Sequence, residues 1–163
     1  MKRLVVSVFA ALLACCMLAI SLTSLPTRVV AALQAPVVRA DGGCSLASLN
    51  GPYATEGQGT VVGALPGFPA PPLPFGEVVI DHFNGAGSFF GDAKVNAGGV
   101  VLDVPVTGTY TVNSDCIGTL TVNTSLGLIL HNGMVVIGGG QRFILTETDS
   151  FAVIQRRGER LGD

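Results

Sequence analysis

Hydrophobic and polar residues alternate most clearly between residues 100 and 112. Every even position carries Val, Leu, Gly or Tyr, whereas the odd positions from 103 onward carry Asp, Pro and Thr. An alternation with a period of two predicts a β-strand with one buried and one solvated face. We therefore expect the even side chains, including Tyr110, to point into the core. Pro105 cannot donate a ladder hydrogen bond, so it predicts a bulge or an edge position.

Shorter runs of the same kind recur along the chain and are separated by turn signals. The Asn-Gly pairs at 84–85 and 132–133 predict tight turns, the three glycines at 138–140 predict a bend, and the proline-rich segment 65–74 predicts a loop. A short helical turn is expected at 45–49. The predicted strands cover residues 53–62, 75–83, 87–95, 100–112, 117–124, 128–131, 134–137, 141–148 and 151–155.

The number and spacing of these strands predict one all-β domain at residues 41–163. Eight or nine strands joined mostly by short connections are typical of an antiparallel meander. The simplest closed meander is a single antiparallel up-and-down β-barrel of about eight strands. A two-sheet β-sandwich is the alternative, because it would bury one face of each strand in the same way.

Residues 1–40 have a different character and the form of a helical signal segment. Lys and Arg at positions 2 and 3 precede an apolar run at 4–20, and the segment contains no glycine and no acidic residue. A basic start followed by an apolar run is typical of an export signal. The small residues in Val38-Arg39-Ala40 predict cleavage after Ala40, which would leave the domain secreted or in the cell envelope.

Three alternatives remain open for this leader. Val29-Val30-Ala31 also fits a cleavage site, which would place the cut after Ala31. The segment Leu12-Leu13-Ala14-Cys15 is similar to a bacterial lipoprotein box and would put a lipid on Cys15, although apolar residues follow it instead of a polar tether. An uncleaved anchor is the third, because the apolar run approaches the ~20 residues that span a bilayer. Membrane contact is therefore expected only through an uncleaved or lipidated leader.

The four cysteines divide into two pairs. Cys15 and Cys16 lie in the leader, so Cys44 and Cys116 are the only pair in the exported part. An even pair in an oxidising compartment predicts a disulfide, and two buried free thiols are the alternative. A metal site is not expected, since two cysteines 72 residues apart with no histidine near either lack the ligand spacing of zinc sites.

The charge of the exported part argues against nucleic acid as a partner. Residues 41–163 carry five basic and eleven acidic side chains, a net charge of −6. Binding to phosphates would need a clustered positive face. No cofactor is expected either, because the glycines at 138–140 lack the lysine and the helix of a phosphate loop.

Tyr110 and His82 are candidate ligand-binding residues. Tyr110 is the one aromatic residue with a polar tip on the inward face of the best-patterned strand, and a buried phenol needs a hydrogen-bond partner. It either anchors a neighbouring segment or orients a ligand in a cavity. His82 is in phase with Val78 and Ile80, which predicts that it lies on the apolar face of its strand. A structural or solvated role is the alternative for His82 and for the only other histidine, His131.

Glu77 is the third candidate, as a carboxylate on the strand that carries His82. Glu77, Asp81 and Asp92 would supply an acid and a base if they faced each other in a pocket. Asp81 precedes Asn84-Gly85, so capping of that turn is its alternative role. No nucleophile motif accompanies these carboxylates, because Ser88 lacks the sequence order and the strand-to-helix context of a nucleophile elbow.

The stretch VTGTYTVNSDCIGTLT at 106–121 resembles a signature of small secreted bacterial proteins of the allene oxide cyclase-like, calycin-type β-barrel group. Two further segments fit the same pattern. They are CSLASLNGPY at 44–53 and residues 76–87, a predicted strand that runs into a glycine-rich turn. The resemblance extends from residue 44 to about residue 157. It implies a barrel with a lumen, and no catalytic residue of the cyclases matches a position in this chain.

Three functions are compatible with these features. The first is a secreted, non-enzymatic barrel that binds a small apolar ligand or has a role at the cell surface. The second is a cyclase- or isomerase-like enzyme whose apolar lumen folds a substrate into reacting shape. The third is a surface interaction module that uses the proline-rich loop, which Phe68 and Phe75 bracket. An open lumen lined by polar groups would favour the second, and a filled core the third.

Overall fold

The computed structural model describes residues 43–65 and 68–162, and its strands form one closed barrel. Each strand pairs antiparallel with its neighbours in sequence, and the last strand pairs with the first. The predicted all-β, up-and-down barrel is confirmed. The leader, its cleavage sites and Cys15 lie outside the described residues. The strands are β1 Asn50–Val61, β2 Leu73–Asn84, β3 Ser88–Ala97, β4 Val100–Val112, β5 Ile117–Thr124, β6 Ile129–Ile137, β7 Arg142–Glu147 and β8 Ala152–Arg160.

β4 has the bounds and the orientation that its alternation predicts. Val104, Val106 and Tyr110 are buried, and the odd positions are exposed. Pro105 lies just beyond the β4–β5 ladder, where Ser125 donates its backbone N–H to the Pro105 carbonyl. The amide and the carbonyl of a strand residue point to the same side. An N–H group at Pro105 would therefore face the segment that follows the end of β5. Pro105 thus lies at the end of the β4–β5 ladder. The predicted bulge or edge position is wrong, because the β3–β4 register is continuous at Pro105 and the closed barrel that the described strands form has no edge strand.

The predicted turn at Asn132-Gly133 is wrong, because β6 runs through it without interruption. An Asn-Gly pair makes a hairpin turn only if the segments on either side of it pair with each other. Here both segments pair with β5 on one side and β7 on the other. Asn132 is therefore an inward-facing strand residue, in phase with Met134 and Val136.

One end of the barrel is covered by the segment that precedes β1. A disulfide joins Cys44 to Cys116, in the turn between β4 and β5, which confirms the predicted pairing. Residues Leu46–Ser48 form a short 3-10 helix. The hydroxyl of Tyr110 lies 3.0 Å from the carbonyl oxygens of both Leu46 and Leu49 and donates its hydrogen bond there. This end, which we call the closed end, is thereby tied to β4.

An aromatic cluster fills the lumen next to the closed end. Phe83 is at its centre, and its ring centroid lies 5.1 to 5.5 Å from those of Tyr53, Phe89, Tyr110 and Phe143. Edge-to-face and offset contacts at such distances stabilise aromatic pairs. The space that remains in the lumen is therefore on the far side of this cluster. Across residues 43–65 and 68–162, no helix has the length and apolar character needed to cross a membrane.

Candidate functional site

A cavity of about 100 Å³ lies inside the barrel, and all eight strands contribute to its lining. Inward-facing side chains line it because the alternation of each strand directs every second residue to the lumen. Most of the lining is aliphatic or aromatic. Representative members of this apolar wall are Val79, Val104, Val106, Leu120, Val122 and Leu145.

The cavity continues to the end of the barrel opposite the closed end. The loops between β1 and β2, β5 and β6, and β7 and β8 meet there, and each contributes large apolar side chains. We call this set the apolar rim. It consists of Leu65, Phe68, Leu126, Leu128 and Phe151. The surface that leads into the lumen is therefore apolar.

Four polar side chains form a connected group in the wall of the lumen, which we call the Arg156 cluster. Arg156 donates from Nε to Glu77 Oε1, and from Nη1 to Asn132 Oδ1 at 2.7 Å and Glu147 Oε2 at 3.1 Å. The side chains of Arg156 and Glu77 are each 7% exposed and that of Glu147 is 0% exposed. Four strands thus bring one guanidinium, two carboxyls and an amide together away from water.

Asp81 adds a third carboxyl to the lumen, two positions nearer the closed end of β2 than Val79. Thr55 donates a hydrogen bond of 2.6 Å to Asp81 Oδ2, and both residues are buried and line the cavity. Burial raises the pKa of Asp81 from 3.8 to about 6, and the hydrogen bond from Thr55 opposes this rise. The negative charge of Glu77 raises the pKa of Asp81 further. Asp81 therefore exchanges its proton near pH 6.

Glu147 also has a raised pKa, and burial is again the main cause. Burial raises its pKa from 4.5 to about 6, and the charge of Arg156 opposes the shift. The lumen thus holds three carboxyls against one guanidinium. The buried site carries excess negative charge once Asp81 and Glu147 have lost their protons.

Two glycines leave the space that these carboxyls occupy. Gly57 lies between Glu77 and Arg156 in the β1 ladders, and a Cβ atom there would be 2.6 Å from Glu77 Oε1 and 3.0 Å from Arg156 Cγ. Gly91 lies opposite Asp81, and its Cβ would be 2.8 Å from Asp81 Oδ1. Real Cβ atoms do not approach so closely, so any other residue at either position would displace a buried carboxyl.

Of the three predicted ligand-binding residues, Glu77 lines the cavity and belongs to the Arg156 cluster. Tyr110 is inside the barrel, but it lies at the closed end, outside the cavity lining, and its hydroxyl is used by the backbone of the 3-10 segment. Burial raises the pKa of its phenol. Tyr110 is thus the structural anchor among its two predicted roles.

The interpretation of His82 as a lumen residue is wrong. It is in phase with Val78 and Ile80 as expected, but these side chains are 60% and 42% exposed, so their face is the outer one. The His82 ring stacks on Phe90 there, with centroids 4.8 Å apart. The inward face of β2 carries Val79 and Asp81 instead. Both faces of this strand carry apolar residues, so the pattern alone did not distinguish them.

The remaining histidine and acidic candidates lie outside the lumen. His131 is exposed, and its backbone N–H donates to Asp149 Oδ2 at 2.7 Å while its ring Nδ1 lies 3.0 Å from Asp149 Oδ1. The backbone hydrogen bond lowers the pKa of Asp149. Asp92 is exposed on the outer face of β3. Of the acidic candidates, Glu77 and Asp81 are therefore the two that share the lumen.

Sequence reasoning missed Arg156, Glu147 and Asn132. Each is an inward-phase polar residue on a strand whose other inward residues are apolar, such as Ile154 before Arg156 and Leu145 before Glu147. A charged residue in phase with apolar residues was the sequence signal that could have placed Arg156 and Glu147 inside the barrel. No such signal was available for Asn132, because its Asn-Gly pair predicted a turn instead of a strand.

No protein-family model matches this chain, and no curated protein matches it. Within the described part of the barrel, no group of three or more His, Cys, Asp or Glu side chains is arranged to hold a metal ion.

Proposed function

We propose that this protein binds a small, largely apolar molecule inside its barrel. The observation that carries the proposal is an apolar cavity in the lumen whose lining includes three buried members of the Arg156 cluster, Glu77, Glu147 and Arg156. Ligand sites are typically concave and apolar, with a few polar groups that fix orientation. Apolar side chains at the cluster positions would stabilise a barrel at least as well, since buried ion pairs lose much of their attraction to desolvation. A binding role accounts for their presence.

The size of the cavity limits the ligand. An empty apolar cavity of roughly 150 Å³ accommodates benzene, and the cavity here measures about 100 Å³. A compact group of five or six heavy atoms at most is expected to fit beside the cluster. Any longer apolar part of a ligand would extend toward the apolar rim. Phe68 and Phe75 line the cavity, which favours lumen binding over an interaction module built on the proline-rich loop.

Cavity filling tests this proposal with a matched pair of substitutions. Ala93 is buried and lines the cavity, whereas Ala54 is exposed on the outer face. In nuclear magnetic resonance titrations with cyclopentane, Ala93→Leu should abolish the shifts of the Val122 and Leu145 methyl groups. Ala54→Leu should leave these shifts unchanged. Shifts confined to outer methyl groups such as those of Val153, or equal binding by both variants, would contradict the proposal.

A cyclase- or isomerase-like enzyme is a second candidate, and Asp81 favours it. A carboxyl with a pKa of about 6 in an apolar lumen can accept and return a proton near neutral pH. We expect the protein to accelerate hydrogen–deuterium exchange next to the carbonyl of a small ketone such as cyclopentanone. Asp81→Asn should abolish this exchange, and Asp92→Asn on the outer face should not. Exchange at the rate of buffer, or exchange that survives Asp81→Asn, would exclude this candidate.

We propose that the barrel is exported, because the Cys44–Cys116 disulfide is of the kind that persists in oxidising compartments. Mass spectrometry of the exported protein tests this: the chain should begin at Asp41, and retention of residues 4–20 or a lipid on Cys15 would contradict cleavage there. We also propose membership of the allene oxide cyclase-like barrel group, because the resemblance implies a barrel with a lumen and the strands close into a barrel.

A further inference from the structure

Two buried polar atoms of the Arg156 cluster have no hydrogen-bond partner among the described residues. They are Asn132 Nδ2, a donor, and Glu147 Oε1, an acceptor when the carboxyl is ionised. Asn132 is only 2% exposed and the Glu147 side chain is 0% exposed. Buried polar groups in folded proteins are nearly always paired, with protein, water or ligand. Asp149 can hydrogen-bond the Glu147 carboxyl only while that carboxyl is protonated. Above the pKa of Glu147, the two atoms therefore indicate a group that the chain itself does not supply.

The two atoms belong to neighbouring side chains that are held in one orientation. Asn132 and Glu147 are directly opposite each other in the β6–β7 ladder, a relationship that places Cβ atoms about 5 Å apart. Arg156 Nη1 donates to the other oxygen of each side chain, Asn132 Oδ1 and Glu147 Oε2. This contact directs the unpaired donor and the unpaired acceptor away from the guanidinium. Glu147 lines the cavity and Asn132 is its buried ladder partner, so a small ligand group that enters beside Glu147 approaches both atoms.

The kind of group follows from the donor and the acceptor together. A hydroxyl accepts one hydrogen bond and donates one, so it can pair with Asn132 Nδ2 and with Glu147 Oε1 at the same time. A ketone only accepts and would leave the ionised Glu147 oxygen unpaired. An ammonium only donates, so it would leave the Asn132 amide unpaired. The carboxyls of the lumen would attract it, but the adjacent Arg156 guanidinium would repel it.

The charge of the lumen excludes an anionic group. Glu77, Asp81 and Glu147 already place three carboxyls near one guanidinium. A ligand carboxylate would add a fourth negative charge in a site with little water, where like charges repel strongly. Its two oxygens would also be acceptors only and would face Glu147 Oε1.

We infer that the lumen selects neutral alcohols of small apolar skeleton, whose hydroxyl accepts a hydrogen bond from Asn132 and donates one to Glu147. This inference rests on the proposed binding of a ligand in the lumen and specifies its chemical class. The skeleton contacts the apolar wall, and the hydroxyl provides the contacts that the cluster lacks. Water alone would satisfy the same two atoms, so selectivity among ligands of equal skeleton is the quantity to measure.

A series built on one five-membered ring provides that measurement. Binding of cyclopentanol, cyclopentane, cyclopentanone and cyclopentylamine, none with more than six heavy atoms, is compared by titration at about pH 8, above the pKa of Glu147. Cyclopentanol should bind at least about tenfold more tightly than each of the others. Equal binding of cyclopentane and cyclopentanol would overturn the inference but leave lumen binding standing. Tighter binding of the amine or the ketone than of the alcohol would have the same meaning. Absence of binding by every member would overturn lumen binding itself.

A near-isosteric substitution tests the donor–acceptor pairing directly. In Glu147→Gln, the amide oxygen can keep the bond from Arg156, which leaves a donor where Glu147 Oε1 was an acceptor. Two donors suit a carbonyl, so this variant should prefer cyclopentanone to cyclopentanol. Glu56→Gln, exposed on the outer face of β1, should retain the preference for cyclopentanol. A preference unchanged by Glu147→Gln in folded protein would contradict the assignment.

Discussion

Gly57 lies directly between Glu77 and Arg156, as the partner of Glu77 in the β1–β2 ladder and of Arg156 in the β1–β8 ladder. The two charged side chains meet over this glycine, in the volume that a Cβ atom on Gly57 would occupy. The central ion pair of the lumen therefore depends on the absence of a side chain from the strand between its members.

Gly57→Ala should destabilise the barrel by about 1–3 kcal/mol, because the added methyl group overlaps a buried ion pair that has little room to move. Gly76→Ala is the matched control. Its Cβ would meet nothing closer than a backbone oxygen at 3.9 Å, so its effect should stay within about 0.5 kcal/mol. Denaturant unfolding of both variants measures the difference. Equal stability of the two would contradict the packing described for Gly57.

The stability of the barrel should fall as the pH rises from about 4 to about 6. Burial raises the pKa of Asp81 from 3.8 to about 6, so in this range the folded protein holds a proton that the unfolded chain has released. Proton uptake on folding favours the folded state at the lower pH, and this contribution is lost as the pH rises through 6. The shift corresponds to about 3 kcal/mol for Asp81, and Glu147 acts in the same direction.

Melting temperatures measured between about pH 4 and pH 7 check this dependence. Asp81→Asn cannot titrate, so its melting temperature should decline less steeply across the same range. Asp92→Asn, exposed on the outer face, should show the decline of the unsubstituted protein. A decline that Asp81→Asn does not reduce would mean that Asp81 titrates as it does in the unfolded chain.

Tyr110→Phe should lower the free energy of unfolding by about 1 kcal/mol, the usual contribution of one hydrogen bond. The hydroxyl serves the carbonyl oxygens of Leu46 and Leu49 at the closed end, so ligand binding in the lumen should not change. Thermal unfolding and a cyclopentane titration of the same sample measure both quantities. A loss of affinity with an unchanged melting temperature would instead place Tyr110 at the ligand.

The two faces of β4 should respond differently to the same charge. Val104→Asp puts an unpaired carboxylate into the lumen and should cost several kcal/mol or prevent folding. Thr109→Asp places it on the exposed face and should change the stability by well under about 1 kcal/mol. Circular dichroism melts of both variants make the comparison, and similar losses would contradict the orientation of this strand.

Removal of the disulfide should cost about 4 kcal/mol in the chain-entropy account, because it closes a loop between positions 72 residues apart. The double substitution Cys44→Ser with Cys116→Ser measures this loss without creating a lone thiol. Thiol titration of unfolded, unreduced protein that starts at Asp41 should detect no free thiol. Two thiols per chain would show that the pair is open in the exported protein.

The strands were predictable where one face was clearly polar. Threonines on the outer face of β4 made its phase unambiguous, and its bounds match the structure. On β2, the apolar Val78 and Ile80 lie outside while Asp81 lies inside, so the pattern pointed His82 toward the wrong environment. Asn132 was misread because turn propensity is local, whereas strand pairing depends on the partners that the rest of the chain provides.

The amino-acid sequence by itself determined the class of the fold, the order of the strands and the cysteine pair, because alternation and turn chemistry act over a few neighbouring residues. The contents of the lumen were decided by closure of the barrel. Glu77 and Arg156 are 79 residues apart and meet only because β8 pairs with β1 in a register that aligns both with Gly57. Strand register is a property of the whole sheet, so the charged site exists only in the tertiary structure.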